Sequence, residues 1–246
     1  MRKYGLNTVS LWPWSLGSFG PFRSIEMASK AGFDGIQALP MRLWDYRFKG
    51  DWERYVISYE DAWNYGPLWK ALLREIGLMG EPAPTLLDLF LFGRERMLPF
   101  PNAIFSVHHG LKHPPKTAVV TEIHPELWTD TQSYVDYSQL RGRLCWDTWH
   151  VRRPHRKTGA TIGSWRELLI LLPAEAIGLI HVHPTKEEIP GFLRGESSEL
   201  TAMLVALRLK NPNCPAIIEV FPPLAGKIQT IAFVANILRI TKGWLS

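Results

Sequence analysis

At 246 residues, with 46% hydrophobic and 21% charged side chains, the chain can bury a large core, which excludes a disordered protein and fits either one α/β barrel or two small domains. A net charge of +5 and a pI near 9.2 permit contact with phosphates or nucleic acid, yet the basic residues are scattered apart from Arg152-Arg153-Pro154-His155-Arg156-Lys157. No apolar run reaches the ~18 residues of a membrane span, the opening Met1-Arg2-Lys3-Tyr4 runs directly into a strand pattern, and Cys145 and Cys214 lack CxxC spacing; a cytoplasmic protein with buried thiols and no membrane partner is expected.

Lys3 to Leu11 reads as a first strand, and Trp12 to Phe22 as an aromatic loop rich in glycine and proline. Ser24 to Lys30 is a short amphipathic helix ending at Ala31-Gly32, and Phe33 to Leu39 returns as a second strand, which implies a parallel pair with a right-handed crossover. Met41 to Tyr65 is aromatic and charged, with Ser58-Tyr59-Glu60-Asp61 in the pattern of a helix start, and Pro67 to Ile76 is a helix closed by Gly77. The third strand is placed at Leu78 to Pro84, although its glycine and prolines oppose it. Asn102 to Val107 makes a fourth strand ending at His108-His109-Gly110. The link Leu111 to Lys116 holds two prolines and is too short for a helix, so the barrel is expected to be trimmed or irregular around residues 78–117.

Beyond that region the order is regular. Strands fall at Thr117–Glu122, Arg143–Asp147, Ile177–Val182 and Pro215–Val220. Trp128–Leu140 is a weak helix or loop, Ser164-Trp-Arg-Glu167 is a capping box opening a helix to Leu172, and Ser198–Lys210 and Gly226–Thr241 are helices. No repeat, low-complexity tract or linker interrupts the chain, so residues 1–246 read as one domain.

Four successive strands stop at a side chain able to hold a metal: Glu122, then Asp147 with His150 three residues on, then His181 or His183, then Glu219. In a (β/α)8 TIM barrel the C-terminal strand ends converge on one face, so these side chains meet although they are far apart in sequence. A doubly wound open sheet competes, but it gives no reason for four strands to end this way, and no Gly-rich phosphate loop is present. The expected fold is therefore α/β, a single (β/α)8 barrel.

Trp12, Trp14, Trp44, Trp128, Trp146 and Trp149 fall near strand ends, where aromatic rings either wall a sugar or polyol pocket or pack the core. Trp12 and Trp149 are the candidates for substrate contact. His108 and His109 end a strand in the same layer, with His108 taken as the pocket residue; His113, His124 and His155 read as surface or loop residues. The basic run after His150 is either a solvated loop or an anion-contacting loop at the mouth of the site.

At the segments KYGLNTVSLWPW, AGFDGIQ, VVTEIHPE, CWDTWH, LIHVHP and IIEVFP the chain resembles the xylose-isomerase-like TIM-barrel superfamily, which holds sugar isomerases and epimerases, inosose dehydratases and endonuclease IV. The resemblance runs from Lys3 to Pro222. It implies one divalent ion held by Glu122, Asp147, His181 and Glu219, with His150 touching substrate or a second metal. It also selects His181 over His183, since the two alternate along a strand and only one can point inward. An oxygen-rich set with one imidazole suits Mn²⁺, Mg²⁺ or Co²⁺, and also admits Zn²⁺. In the epimerase and isomerase branch the two matching glutamates act as acid and base; carried over, Glu122 and Glu219 would pass a proton through an enediolate.

The chain departs from the superfamily at two places. Gln37 stands where many members have an acid, and Pro184 to Glu196 lacks both the Asp-x-His pair of the endonuclease and the Asp-Arg-His type segment of the sugar epimerases. Three functions follow as expectations: a metal-dependent sugar or polyol isomerase/epimerase, a phosphodiesterase acting at abasic DNA, and a non-catalytic barrel. The substrate, the ion and the oligomeric state are not specified by the sequence.

Overall fold

Short runs of β-branched and aromatic residues between turn residues give eight strands in the computed structural model, which describes residues 1–11, 20–38, 55–60, 104–107, 119–124, 130–140, 142–154, 159, 161–221 and 226–246. They are β1 (Tyr4–Asn7), β2 (Gly35–Ala38), β3 (Val56–Glu60), β4 (Ile104–Val107), β5 (Val119–Glu122), β6 (Arg143–Asp147), β7 (Ile177–Val182) and β8 (Ala216–Ile218). Each is parallel to the next in chain order. Pairing of Tyr4, Gly5 and Leu6 with Ala216, Ile217 and Ile218 closes the sheet into a barrel. Such parallel pairs require crossovers, and in the second half these are visible as the helices Thr131–Leu140, Trp165–Leu171 and Glu199–Lys210, with Lys227–Leu245 closing the chain. Between β1 and β2 the crossover is the helix Gly20–Lys30. Among the described residues no helix joins β2 to β3, β3 to β4 or β4 to β5.

The third strand corrects the sequence reading. Val56–Glu60 pairs with β2 and β4, so Ser58 lies inside a strand and does not open a helix. Val56 and Ile57 are buried, and their β-branched side chains suit a pleated surface better than a first helical turn. The segments expected at Pro67–Ile76 and Leu78–Pro84 lie outside the described residues.

Two apolar layers hold the barrel. Outside the sheet, one cluster packs strand residues such as Leu6, Ile36, Leu144, Trp146 and Ile180 against helix residues such as Met27, Leu168, Met203, Leu204, Val234 and Ile237. Trp146 is fully buried there and its indole Nε1 donates to Met203 Sδ at 3.1 Å, so this tryptophan belongs to the core and not to a pocket wall. Each fully buried side chain of this size contributes roughly 1.5–3 kcal/mol through water removed from apolar surface. Inside the sheet a second, smaller cluster joins Ile57, Val120, Cys145, Leu179 and Ile217, with Ile104 against it. At the same level β1 and β2 carry Gly5 and Gly35: a Cβ on Gly5 would sit 2.5 Å from Ile217 Cδ1 and one on Gly35 would sit 2.8 Å from Ile57 Cγ1, so only glycine leaves room for those isoleucines.

Strand geometry turns every second side chain the same way. Two residues on from the inner apolar ring come Asn7, Gln37, Ser106, Glu122, Asp147, His181 and Glu219, all polar and all buried. The floor at the opposite strand ends is tied by main-chain acceptors: Arg2 Nη2 donates to Asn211 O at 2.7 Å, and Asn211 Nδ2 donates to Ala174 O and Ile177 O at 3.0 Å. Cys145 and Cys214 are both buried thiols, as expected, and burial pushes the Cys214 thiol up to about 12. No helix among the described residues is long and apolar enough to cross a membrane.

Candidate metal and substrate site

β6 and β7 set the centre of the site. Their register places Asp147 opposite His181, after a bulge between Leu144 and Cys145 that brings the strand ends level. His181 Nδ1 lies 3.7 Å from Asp147 Oδ2 and 3.8 Å from Glu219 Oε2. Glu219 follows directly on β8 and is fixed by its own N–H to Val182 O at 3.0 Å. On the other side, β5 delivers Glu122, whose Oε1 is 3.4 Å from His150 Nε2. Two triads result, Asp147–His181–Glu219 and Glu122–Asp147–His150, each with its candidate ligand atoms within 4.8 Å of one another, and Asp147 belongs to both.

The turn after β6 is hung on the acid it follows. Asp147 Oδ1 accepts the backbone N–H groups of Trp149 and His150 at 2.6 and 2.9 Å, which fixes the carboxylate and orients both side chains. Thr148 locks the turn to β7: its N–H donates to His181 O at 3.0 Å, and its hydroxyl accepts the N–H of His183 at 2.8 Å. Burial acts to push the Asp147 carboxyl up. The charge of His150 and the facing imidazoles of His181 and His183 outweigh that and hold it well below the usual carboxylate range, so the acid is ionised.

Of the side chains read from the sequence, Glu122, Asp147, His150, His181 and Glu219 all reach this mouth. They form two triads that share Asp147. Trp149 stands at the same place, its ring 4.7 Å from that of His150. His108 and Trp12 lie outside the described residues.

Three other readings are corrected. His183 reaches Asp147 Oδ2 at 3.9 Å, against 3.7 Å for His181, and stacks on Trp149 at 5.6 Å. Alternation excludes it only within a strand, and β7 ends at Val182, one residue earlier. Burial pulls the His183 imidazole down, but Asp147 and Glu219 more than offset this and raise it from 6.5 to about 8. His124 is buried, its ring 4.0 Å from that of His150, and its main chain is clamped by the Tyr134 hydroxyl, which donates to His124 O at 2.6 Å and accepts from His124 N at 3.1 Å. Pro125 after His124 and Pro184 after His183, each without the N–H that a strand ladder needs, are the available sequence signals that the strands stop here.

Arg152 is the third correction. Its side chain is buried and bonded bidentately to Glu188, with further bonds to Thr148 O at 2.6 Å and His183 O at 3.4 Å. It staples the turn after β6 to the loop after β7, so it belongs neither to a solvated face nor to an anion contact. His155, Arg156 and Lys157 lie outside the described residues.

The donor set fits a divalent cation: buried carboxylate oxygens and one imidazole nitrogen converge from three strands, the mixture that Mn²⁺, Mg²⁺, Co²⁺ or Zn²⁺ accepts. No family model and no curated protein matches the sequence. Solved structures do. D-allulose 3-epimerase from Methylomonas sp., in complex with D-allulose, aligns at a TM-score of 0.57 over 98% of this chain and 96% of its own, at 13% identity. At this identity the likeness is one of fold, a closed barrel of parallel strands. A second structure of the same epimerase, with additional C-terminal residues, gives 0.57 over 99% and 98% at 13% identity. The structure described as AsfvAP:AG gives 0.57 over 100% and 99% at 12% identity.

Proposed function

We propose that this single-domain xylose-isomerase-like barrel is a divalent-metal-dependent sugar or polyol isomerase/epimerase. The carrying observation is the convergence of Asp147, His181 and Glu219 at the mouth of the barrel, with Glu122 next to the shared acid. D-Allulose bound to a protein of the same fold supports a monosaccharide as the substrate class.

Asp147, His181 and Glu219 would hold the ion, with Glu122 completing the set. When bound, it polarises a carbonyl or hydroxyl oxygen of the substrate and so eases loss of the proton on the adjacent carbon. Glu122 and Glu219 come from strands on either side of β6 and β7, so their carboxylates approach a sugar in the mouth from two sides. One removes the carbon-bound proton and the other returns one, each step contributing ~10²- to 10⁴-fold. His150, held 3.4 Å from Glu122, positions that carboxylate and donates to a substrate oxygen. Trp149, packed on His150 and His183, supplies an apolar face for the C–H groups of the ring.

The test is metal content together with aldose–ketose and C3-epimer turnover on a panel of small sugars. Stoichiometric ion and turnover that Glu219→Gln lowers by at least ~10²-fold are expected. Failure to take up any ion from a metal-replete solution would overturn the reading. The triad Glu122–Asp147–His150 favours a second reading, phosphodiester cleavage at abasic DNA, because it offers a place for another cation. Nicking of an abasic duplex, with no sugar turnover, would select it.

A further inference from the structure

His181 has a second nitrogen, and a buried pair of amides faces it. Asn7 Nδ2 donates to Gln37 Oε1 at 2.9 Å, and Gln37 Nε2 lies 3.0 Å from His181 Nε2. Asn7, Gln37 and His181 are each fully buried. The direction of this chain has a consequence at the other end of the ring. With its oxygen engaged by Asn7, Gln37 presents an NH₂ group to His181, and an NH₂ group can only donate. His181 Nε2 therefore accepts, and the neutral ring carries its hydrogen on Nδ1, turned toward Asp147 Oδ2 and Glu219 Oε2 at 3.7 and 3.8 Å.

That arrangement suits the metal-free mouth, where a hydrogen between imidazole and carboxylates relieves their proximity. An ion held by Asp147, His181 and Glu219 needs the Nδ1 lone pair, and the ring hydrogen must then sit on Nε2. Gln37 can meet this by turning its amide over. Its oxygen then accepts from Nε2, and its NH₂ faces Asn7, whose own amide turns to present Oδ1. The two ends of an amide are nearly the same size, so each turn leaves the side-chain volume unchanged. A carboxylate at position 37 has no donor and serves only the ion-ready ring.

We propose that Asn7 and Gln37 form a reversible amide relay that sets which nitrogen of His181 carries hydrogen, making the ion exchangeable where an acid would hold it fast. The inference rests on the metal reading of Asp147, His181 and Glu219. Gln37 and Asn7 are positioning residues, acting through His181 without touching ion or substrate. The partner of a ligating imidazole fixes its tautomer and tunes its strength as a ligand, and removing such a partner costs about 10- to 100-fold in affinity.

The experiment reads the ring directly. ¹⁵N-labelled histidine in the full chain is followed by long-range ¹H–¹⁵N correlation, before and after Zn²⁺, and Zn²⁺ affinity is measured by calorimetry. Hydrogen on Nδ1 of His181 in the metal-free protein, moving to Nε2 on loading, is expected. Gln37→Glu and Asn7→Asp should each hold it on Nε2 without Zn²⁺ and tighten binding roughly tenfold, while Gln37→Leu weakens it by about 10- to 100-fold. Hydrogen on Nε2 already in the metal-free wild type overturns the relay, whatever the variants do to folding. Equal Zn²⁺ affinity in wild type, Gln37→Leu and Gln37→Glu overturns it while leaving the metal site standing. Absence of Zn²⁺ uptake by the wild type overturns both.

Discussion

Two rings of side chains lie one above the other inside the same barrel, two residues apart on each strand. The lower is Ile57, Val120, Cys145, Leu179 and Ile217, an apolar plug. The upper includes Gln37, Glu122, Asp147, His181 and Glu219, equally buried and entirely polar. Apolar burial in the lower ring stabilises the fold directly. In the upper ring acids and imidazoles removed from water stabilise little, because desolvation opposes their attraction. The barrel thus separates what holds it together from what it can do by one pleat of the sheet.

The sharpest way to break that contrast is at Asp147. Asp147→Asn keeps an oxygen for the N–H groups of Trp149 and His150 but sets an NH₂ against His181 and His183. Ion affinity should fall beyond about 100-fold, the upper end for loss of an outer partner, and much of the stability that His183 draws from the acid should go with the charge; calorimetry beside denaturation reads both. Leu179→Ala, one pleat below, should spare the ion: stability falls by about 2–5 kcal/mol in denaturant, with ion affinity of the folded protein unchanged. If the two substitutions gave the same pattern, the division into plug and site would be wrong.

A smaller effect concerns His183 in chelator-treated protein. Its folded value, raised from 6.5 to about 8, gives a stabilising contribution fully present below pH 6.5 and lost as pH rises through about 8. That rise corresponds to roughly 2 kcal/mol. Urea unfolding at pH 6 and pH 8.5 should show the loss in the wild type and a flatter profile in His183→Gln.

The second half of the chain was legible because β5 to β8 are compact apolar runs that stop at acids or histidines, and a barrel brings such endings together. β3 was not: Ser58 followed by Asp61 imitates a helix start, and only pairing with β2 and β4 overrides that local signal. His183 was set aside by applying strand alternation one residue past the end of β7. Arg152 looked solvent-facing because Glu188, which buries it, arrives from another loop. Gln37 was visible as a departure from the acid common in the superfamily that the sequence resembles. Its role depends on Asn7 and His181, which strand pairing alone brings within reach.

Asp147 also anchors its own turn, since one carboxylate oxygen carries the N–H groups of Trp149 and His150. The other oxygen, Oδ2, is the one that faces His181 and His183. Base and doorway of the cup therefore hang on a single acid, and a change at that acid reaches both.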